Sequence, residues 1–276
     1  MKLFRSWGRN NAGKTTRSPL ANAMALYQHG RYAEAEAEAR AVAAARPRRR
    51  DDVYAALALS IAALATGAQG RHPEALAACD ALLPVFRRIF GAEDPQTLKL
   101  RSDRAQVLAV LARHAECEAE CTAVVQATIR GTGPEMPLIA AAARNGLIFA
   151  LNAQGRHPQA EALAREALAA HQVPDRFTLV LRLGLARSLN GQARHEAALT
   201  EGERAEELRR SLAEEECRSE TGAVELAMAN ALLGLGRGGA ARTRAAAAHE
   251  ACLASFGPDH RRTAEARALL DRIDGA

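Results

Sequence analysis

The chain of 276 residues is long enough for one large domain or two modest ones, and 48% of its residues are hydrophobic but only 4% aromatic. Because alanine and leucine supply much of the apolar content, the composition favours closely packed helices over sheets. The formal net charge of +5 equals the charge of residues 1–20 alone, so the rest of the chain is balanced and we expect no specific nucleic-acid binding.

The N-terminal segment carries GRNNAGKT at 8–15, which has the Gly-x4-Gly-Lys-Thr spelling of a phosphate-binding P-loop. A P-loop needs a buried strand before it and a helix directly after it, yet only seven residues precede Gly8 and Pro19 follows soon after Thr15. We therefore expect residues 1–17 to be a basic disordered tail, predict no cofactor, and keep a P-loop nucleotide binder as a minor alternative.

The location of the protein is inferred from its cysteines and its apolar runs. The five cysteines show no disulfide-like framework, which favours a reducing compartment and predicts a cytoplasmic protein. The basic N-terminus has no apolar core, so we expect no signal peptide. No stretch of ~20 apolar residues is free of charge, so we also expect no membrane span.

From residue 18 onward one segment recurs six times, beginning with HGRYAEAEAEA at 29–39. The copies align on an arginine, and successive arginines are 38–43 residues apart, a period that predicts stacked helical units. The aligned residues are Arg31, Arg71, Arg113, Arg156, Arg194 and Arg237.

Each copy predicts two helices joined by a turn at the arginine. Small residues stand four and eight positions after it, on one helical stripe where a neighbouring helix can approach closely. The first set comprises Ala35, Ala75, Cys117, Ala160, Ala198 and Ala241. Glycine usually precedes the arginine, where the turn needs a positive φ, and Ala112 and Ala193 replace it in two copies.

The predicted fold is all-α: a right-handed α-solenoid of about six helix hairpins over residues 18–276, with a final helix at about 259–273 that covers the last hairpin. The seven glutamates between 201 and 216 are interpreted as a solvated helix face, with pairs such as Glu206 and Arg210.

These units resemble tetratricopeptide repeats. The resemblance rests on the leucine five residues before the turn, the Gly-Arg-Tyr/His turn and the alanine four residues beyond it. The spacing and the joins GAEDPQT and GPDHRRT resemble the kinesin light-chain-like subclass. That subclass often carries Arg-Asn-Asn-Leu-Ala on the first helix, whereas this chain has Arg144-Asn145-Gly146-Leu147-Ile148. The resemblance implies a non-enzymatic scaffold that binds a peptide or partner protein in a concave groove; the oligomeric state stays open.

Groove-facing residues are expected on the first helix of each hairpin, at positions outside the apolar stripe. The candidates for ligand binding are Ser102, Asp103, Gln106, Asn145, Phe149, Asn152, Arg187, Asn190 and Asn230. Their amides and the arginine suit an extended backbone or an acidic side chain, and Phe149 suits recognition by an exposed ring. A regulatory module that senses a small molecule or peptide, as part of a larger signalling or transcription system, is the alternative function.

No catalytic constellation or metal site is predicted. A histidine follows the aligned arginine in four copies and is interpreted as a turn residue that packs on the helix pair. His114, Cys117 and Cys121 share a helical face that would suit zinc, but the two cysteines occupy the small-residue stripe and a fourth ligand is not evident.

Overall fold

The computed structural model describes residues 20–46 and 51–275, and within them all regular structure is helical, as the composition predicted. The chain forms two compact units, which meet within one helix: the first extends to Gly146 and the second begins at Leu147. The predicted tail at 1–17, and with it the P-loop-like segment, lies outside the described residues.

The first unit contains three hairpins of helices and the start of a seventh helix. In chain order they are α1 (Ala21–Gln28), α2 (Tyr32–Ala44), α3 (Val53–Ala68), α4 (His72–Ile89), α5 (Pro95–Val110), α6 (His114–Arg130) and α7 (Met136–Ala153). From α2 to α6 each helix packs against the next one in the chain.

The second unit contains the rest of α7 and the remaining helices. These are α8 (His157–Ala170), α9 (Arg176–Gly191), α10 (His195–Ser211), α11 (Glu214–Cys217), α12 (Ala223–Gly234), α13 (Gly238–Phe256) and α14 (Arg261–Asp274). The last of these agrees with the predicted final helix. Its Ala266 and Leu269 are buried against Ala245 and Ala248 of α13, so it covers the apolar face of the last hairpin.

The hairpin turns have one conformation throughout, which explains the repeated Gly-Arg pair. Each aligned arginine is the residue before a helix and has φ near −84° and ψ near 60°, for example −83° and 61° at Arg31. The residue before it is left-handed, with φ of 77° at Gly30. Ala112 and Ala193 adopt the same conformation, at 58° and 57°, so alanine does accept this turn in two copies.

The small-residue stripe is confirmed as the contact between helices. All six residues four positions after the aligned arginine have no exposed surface. The helices also approach closely at Gly202 of α10, where a Cβ would lie 2.6 Å from Met228 Cγ of α12. At Gly184 of α9 a Cβ would lie 2.8 Å from Ile148 Cγ2. Alanine and glycine are therefore required here because larger side chains would force the helices apart.

One sequence expectation is wrong around residues 201–220. Glu201 is not part of a solvated face: it is buried, and it accepts hydrogen bonds from Arg182 at 2.8 Å and Arg204 at 2.5 Å. The helix also ends at Ser211, and the short helix α11 and a 3-10 turn at Arg218–Glu220 follow it. The predicted pair of Glu206 and Arg210 is present, at 3.1 Å.

Candidate functional site

The nine predicted groove residues divide between the two units. Ser102, Asp103, Gln106 and Asn145 belong to the first unit, and Phe149, Asn152, Arg187, Asn190 and Asn230 belong to the second. The two sets lie in different local surroundings.

The first set lies on α5 and α7 among charges that are already paired. Ser102 is buried, with 5% of its surface exposed, whereas Gln106 is exposed. Asp103 accepts a hydrogen bond from Lys99 Nζ at 2.9 Å. Its neighbour Arg104 donates to Asp80 at 2.6 Å. A ligand at this face would have to compete with carboxylates for these donors.

Asn152 of the second set is buried and has an internal role. Its Nδ2 donates to the carbonyl of Gly184 at 3.2 Å and to Ser188 Oγ at 3.0 Å, both on α9. Its Oδ1 lies 3.0 Å from Nδ1 of His157, in the turn that follows its own helix. Because both ends of the amide are engaged, Asn152 joins α7, α8 and α9.

Asn190 repeats this arrangement one hairpin later. Its Oδ1 lies 3.2 Å from Nδ1 of His195, and its Nδ2 donates to the carbonyl of Ala227 at 3.1 Å. Each histidine ring lies against a glycine of the following hairpin: a Cβ at Gly191 would lie 2.4 Å from His157, and one at Gly234 would lie 2.3 Å from His195. The two rings thus pack between successive hairpins, whereas the sequence predicted only contact with their own helix pair.

A pocket of about 510 Å³ opens in the second unit between α9, α12 and α14. Its apolar floor includes Leu183, Leu226 and Leu269, and three of the predicted groove residues line its walls. They are Arg187, Asn190 and Asn230. A volume of this size, with an apolar floor and a few polar groups, is typical of ligand sites.

Phe149 stands beside this pocket in contact with two arginines. The guanidinium carbon of Arg187 lies 5.3 Å from the centre of the ring, and that of Arg261 lies 5.0 Å from it. Both distances suit cation–π attraction, which orients the guanidinium groups and leaves their charge in place. The ring predicted to mark recognition is thus half-buried and positions cations.

Among the described residues, Arg187 of the pocket forms no ion pair with a carboxylate. Protein atoms around the pocket displace water from its guanidinium, although the residue remains exposed, and this desolvation lowers its pKa. Glu265 acts in the opposite direction, while Arg261 and Arg262 lower the pKa further as like charges. An anion at this place would relieve both effects.

The contribution of α14 to the pocket was not predicted from the sequence, which indicated only that this helix covers the last hairpin. Arg262, Glu265, Leu269 and Arg272 line the pocket from this helix. They are spaced at i, i+3, i+7 and i+10, so one helical face carries all four, and this periodicity was readable from the sequence. Arg272 donates to Oδ1 of Asn230 at 2.9 Å, which joins α14 to a predicted residue.

A second pocket of about 610 Å³ lies in the same unit between the loop after α8 and α10. Its apolar residues include Leu168, Val173 and Leu208. Its arginines, Arg182 and Arg204, both bond to Glu201. Because Glu201 and Glu207, which also lines the pocket, balance the two positive charges, this pocket has weaker recognition chemistry than the one beside Arg187.

The cysteines are packing residues in this structure. All five are free and buried, and burial raises the pKa of the Cys79 thiol to about 12. The sulfurs of Cys117 and Cys121 are 4.0 Å apart on α6. Across residues 20–46 and 51–275, no group of three histidine, cysteine or carboxylate residues is arranged to hold a metal ion.

In the described part of the chain, α7 is the one helix whose 18 residues are long and apolar enough to cross a membrane by length and composition. More than half of it, 56%, is buried inside the protein, and Arg144 lies in its middle. Both features are typical of a core helix.

The chain is similar to known helical repeat proteins. Residues 138–211 match the tetratricopeptide repeat family. The fold is shared by two crystal structures of a kinesin light chain from Podosopora anserina with nearly identical TPR-like repeats. Each is 20% identical to this chain and covers 71% of it. The TM-scores are 0.58 and 0.57, and the alignments cover 94% and 95% of those structures. A tetratricopeptide repeat protein from Parabacteroides merdae aligns at 12% identity over 92% of this chain and 97% of its own, with a TM-score of 0.47. No curated protein matches the sequence.

Proposed function

Because residues 138–211 match the tetratricopeptide repeat family and the chain shares the fold of kinesin light-chain-type repeats, we propose that it is a non-enzymatic scaffold that binds a segment of a partner protein in the second unit. The observation that carries the proposal is the pocket between α9, α12 and α14, where Arg187, Asn190 and Asn230 meet an apolar floor. We place this scaffold in the cytoplasm, because its cysteines are free thiols.

The pocket combines the groups that recognise an extended peptide. Leu183, Leu226 and Leu269 provide area for an apolar side chain, and the amides beside them provide donors and acceptors. The repeats also hold these groups in place before binding: Asn190 is fixed by His195, and Asn230 by Arg272. A preformed surface loses little conformational entropy on binding, so modest contacts are sufficient for affinity.

Photo-cross-linking from two positions on α14 tests this proposal. Ala268 lines the pocket, whereas Arg267 is exposed and pairs with Asp271 outside it. A photoreactive amino acid at 268 is expected to capture a defined partner in source cells, and the same amino acid at 267 is expected not to. Arg187→Gln in the 268 protein should reduce the yield. Equal capture from both positions would refute binding in the pocket.

A ligand-sensing module is the second candidate, because about 510 Å³ also suits a small molecule. Small-angle scattering separates the two functions. A sensing module should change its radius of gyration when a compound that protects the 268 position from cross-linking is added, whereas a scaffold with a preformed pocket should keep it.

A further inference from the structure

The charged lining of the pocket is unbalanced. Three arginines, Arg187, Arg262 and Arg272, line it together with one carboxylate, Glu265, which gives a net charge of +2. Glu265 is also engaged by a fourth arginine, since it accepts a hydrogen bond from Arg261 Nη1 at 2.6 Å. The pocket therefore presents positive charge that its own carboxylate does not cancel.

The hydrogen-bond acceptors of these arginines are mostly neutral. Arg262 donates to the carbonyls of Ser219 at 2.7 Å and Thr221 at 3.0 Å, and its distance to Glu220 is longer, 3.7 Å. Arg272 donates to the Asn230 amide oxygen. These bonds fix the guanidinium groups and leave most of their charge available to a ligand.

Arg187 differs from the other two because its donors are open. Within the described residues, no protein atom accepts a hydrogen bond from its guanidinium, and its contact is the face of the Phe149 ring. A ring held in this way restricts the rotamer of Arg187 and leaves the edge of the guanidinium free. The edge of the group is where a planar fork of N–H donors binds two oxygens of one anion.

The charge balance favours a dianion over a carboxylate. One carboxylate would leave the lining of the pocket with a charge of about +1, whereas a phosphoryl group carries about −2 at neutral pH and would balance it. Arg262 in the lining and Arg261 beside it already repel Arg187 as like charges. A phosphoryl group also has three acceptor oxygens, enough to bond Arg187 and a neighbouring arginine at the same time.

We propose that this pocket binds the phosphoryl group of a phosphorylated serine or threonine on the partner segment, with Arg187 as the principal donor. The partner segment rests on the proposed function above; the charge and the open donors of the pocket carry the phosphoryl group. Arg262 and Arg272 add positive charge from α14, and the apolar floor receives the side chain next to the modified residue.

Titration of the full chain with two small probes tests the inference. The probes are N-acetyl phosphoserine amide and N-acetyl aspartate amide at equal ionic strength, and the readout is the chemical shift of the arginine Nε–Hε groups in ¹⁵N NMR spectra. The phosphoserine probe is expected to bind roughly tenfold more tightly and to shift the Arg187 signal. Equal affinity for the two probes would overturn the phosphoryl assignment.

Variants of matched charge complete the test. Arg187→Gln should weaken the phosphoserine probe roughly tenfold, and Arg187→Lys should restore only part of the affinity, since lysine lacks the fork. Arg267→Gln removes an exposed arginine of α14 outside the pocket and should change nothing. Full affinity in Arg187→Gln would refute the role of this residue, and thermal melts establish that each variant is folded.

The inference and the proposed function can fail separately. If the 268 position captures a partner but neither probe binds, the scaffold stands and the phosphoryl inference falls. If the phosphoserine probe binds but no partner is captured, the pocket is an anion site of another kind of molecule and the proposed function falls.

Discussion

The two compact units share their helix packing but differ in whether certain arginines are paired with carboxylates. On α5 of the first unit, Lys99 is paired with Asp103 and Arg101 with Glu120. On the equivalent helix of the second unit, α9, Arg182 is paired with Glu201 in the same way. The difference lies at Arg187, which has an aromatic ring as its contact, and at Arg272 of α14, which has an amide. In a repeat protein the apolar positions are the same in every hairpin. A candidate site is therefore recognised where a charged side chain lacks a partner of opposite charge.

The largest expected loss of stability comes from replacing a glycine, and one glycine in each unit allows the comparison. Gly222, at the start of α12, has φ of 74°, and a Cβ would lie 2.4 Å from Cys252 Sγ and 3.1 Å from the carbonyl of Ala248. Gly222→Ala should cost about 3 kcal/mol, because a backbone penalty and a clash add. Gly70, in a hairpin turn of the first unit, has φ of 84° and no atom within 4 Å of such a Cβ. Gly70→Ala should cost about 1 kcal/mol.

Chemical denaturation of the two variants measures the difference. Equal losses would show that the space around α12 is not as tight as the structure has it, and the position of Asn230 in the pocket would then be in doubt.

The next largest loss of stability is expected when a larger side chain is placed in the small-residue stripe. The loss should be similar in both units. Ala160 in the second unit and Ala75 in the first have no exposed surface. Leucine at either position should cost about 1–3 kcal/mol, because the helices must move apart. Ala170→Leu, at the exposed end of α8, is the control. A melting temperature unchanged from wild type in Ala160→Leu would remove this residue from the helix contact.

A smaller effect depends on pH and belongs to the second unit. Glu206 accepts a hydrogen bond from Arg244 at 2.7 Å, and this bond holds the pKa of the Glu206 carboxyl below its ordinary value. A lowered folded pKa stabilises the fold above the ordinary value of 4.5 and stops doing so as the pH falls through the folded value. Glu206→Gln should therefore cost up to about 1 kcal/mol at pH 7 and almost nothing near pH 3. Urea denaturation at both pH values measures this, and a cost independent of pH would refute it.

The smallest effect concerns the two alanine turns, one in each unit. Ala112 and Ala193 have φ of 58° and 57°, which glycine adopts without the Cβ penalty. Ala112→Gly and Ala193→Gly should each stabilise the fold by about 0.5 kcal/mol, since the relief exceeds the added entropy of the unfolded chain. Different signs in the two units, in parallel thermal melts, would show that the turns are not equivalent.

The sequence predicted the repeat and named three residues that line the candidate pocket, while their role in binding stays a prediction. Burial of Ala160 and Ala241 and the left-handed Ala112 follow from spacing within one hairpin, which local periodicity records. The burial of Asn152 could not be predicted from this spacing. It depends on contacts with His157 across a turn and with Ser188 of the next hairpin.

The arginines of the pocket show the same limit. Arg187 was predicted because it lies on a first helix at an outward offset. Arg262 and Arg272 were missed because α14 has no second helix, so the hairpin pattern did not mark it as a first helix. Most residues of the candidate pocket are brought together by contacts between hairpins. The residue spacing within one hairpin does not predict those contacts.

The histidine rings set what can be exchanged in the evolution of this chain. A Cβ at residue 191 would lie 2.4 Å from the His157 ring and one at residue 234 would lie 2.3 Å from the His195 ring, so each ring would have to move to make room for a side chain. A hairpin inserted or deleted by recombination at the turns would separate each ring from its matching glycine. For these two hairpins, a duplication that carries the histidine together with the glycine 34 or 39 positions later preserves the contact, whereas Val110 and Ala153 stand at the equivalent place for His72 and His114.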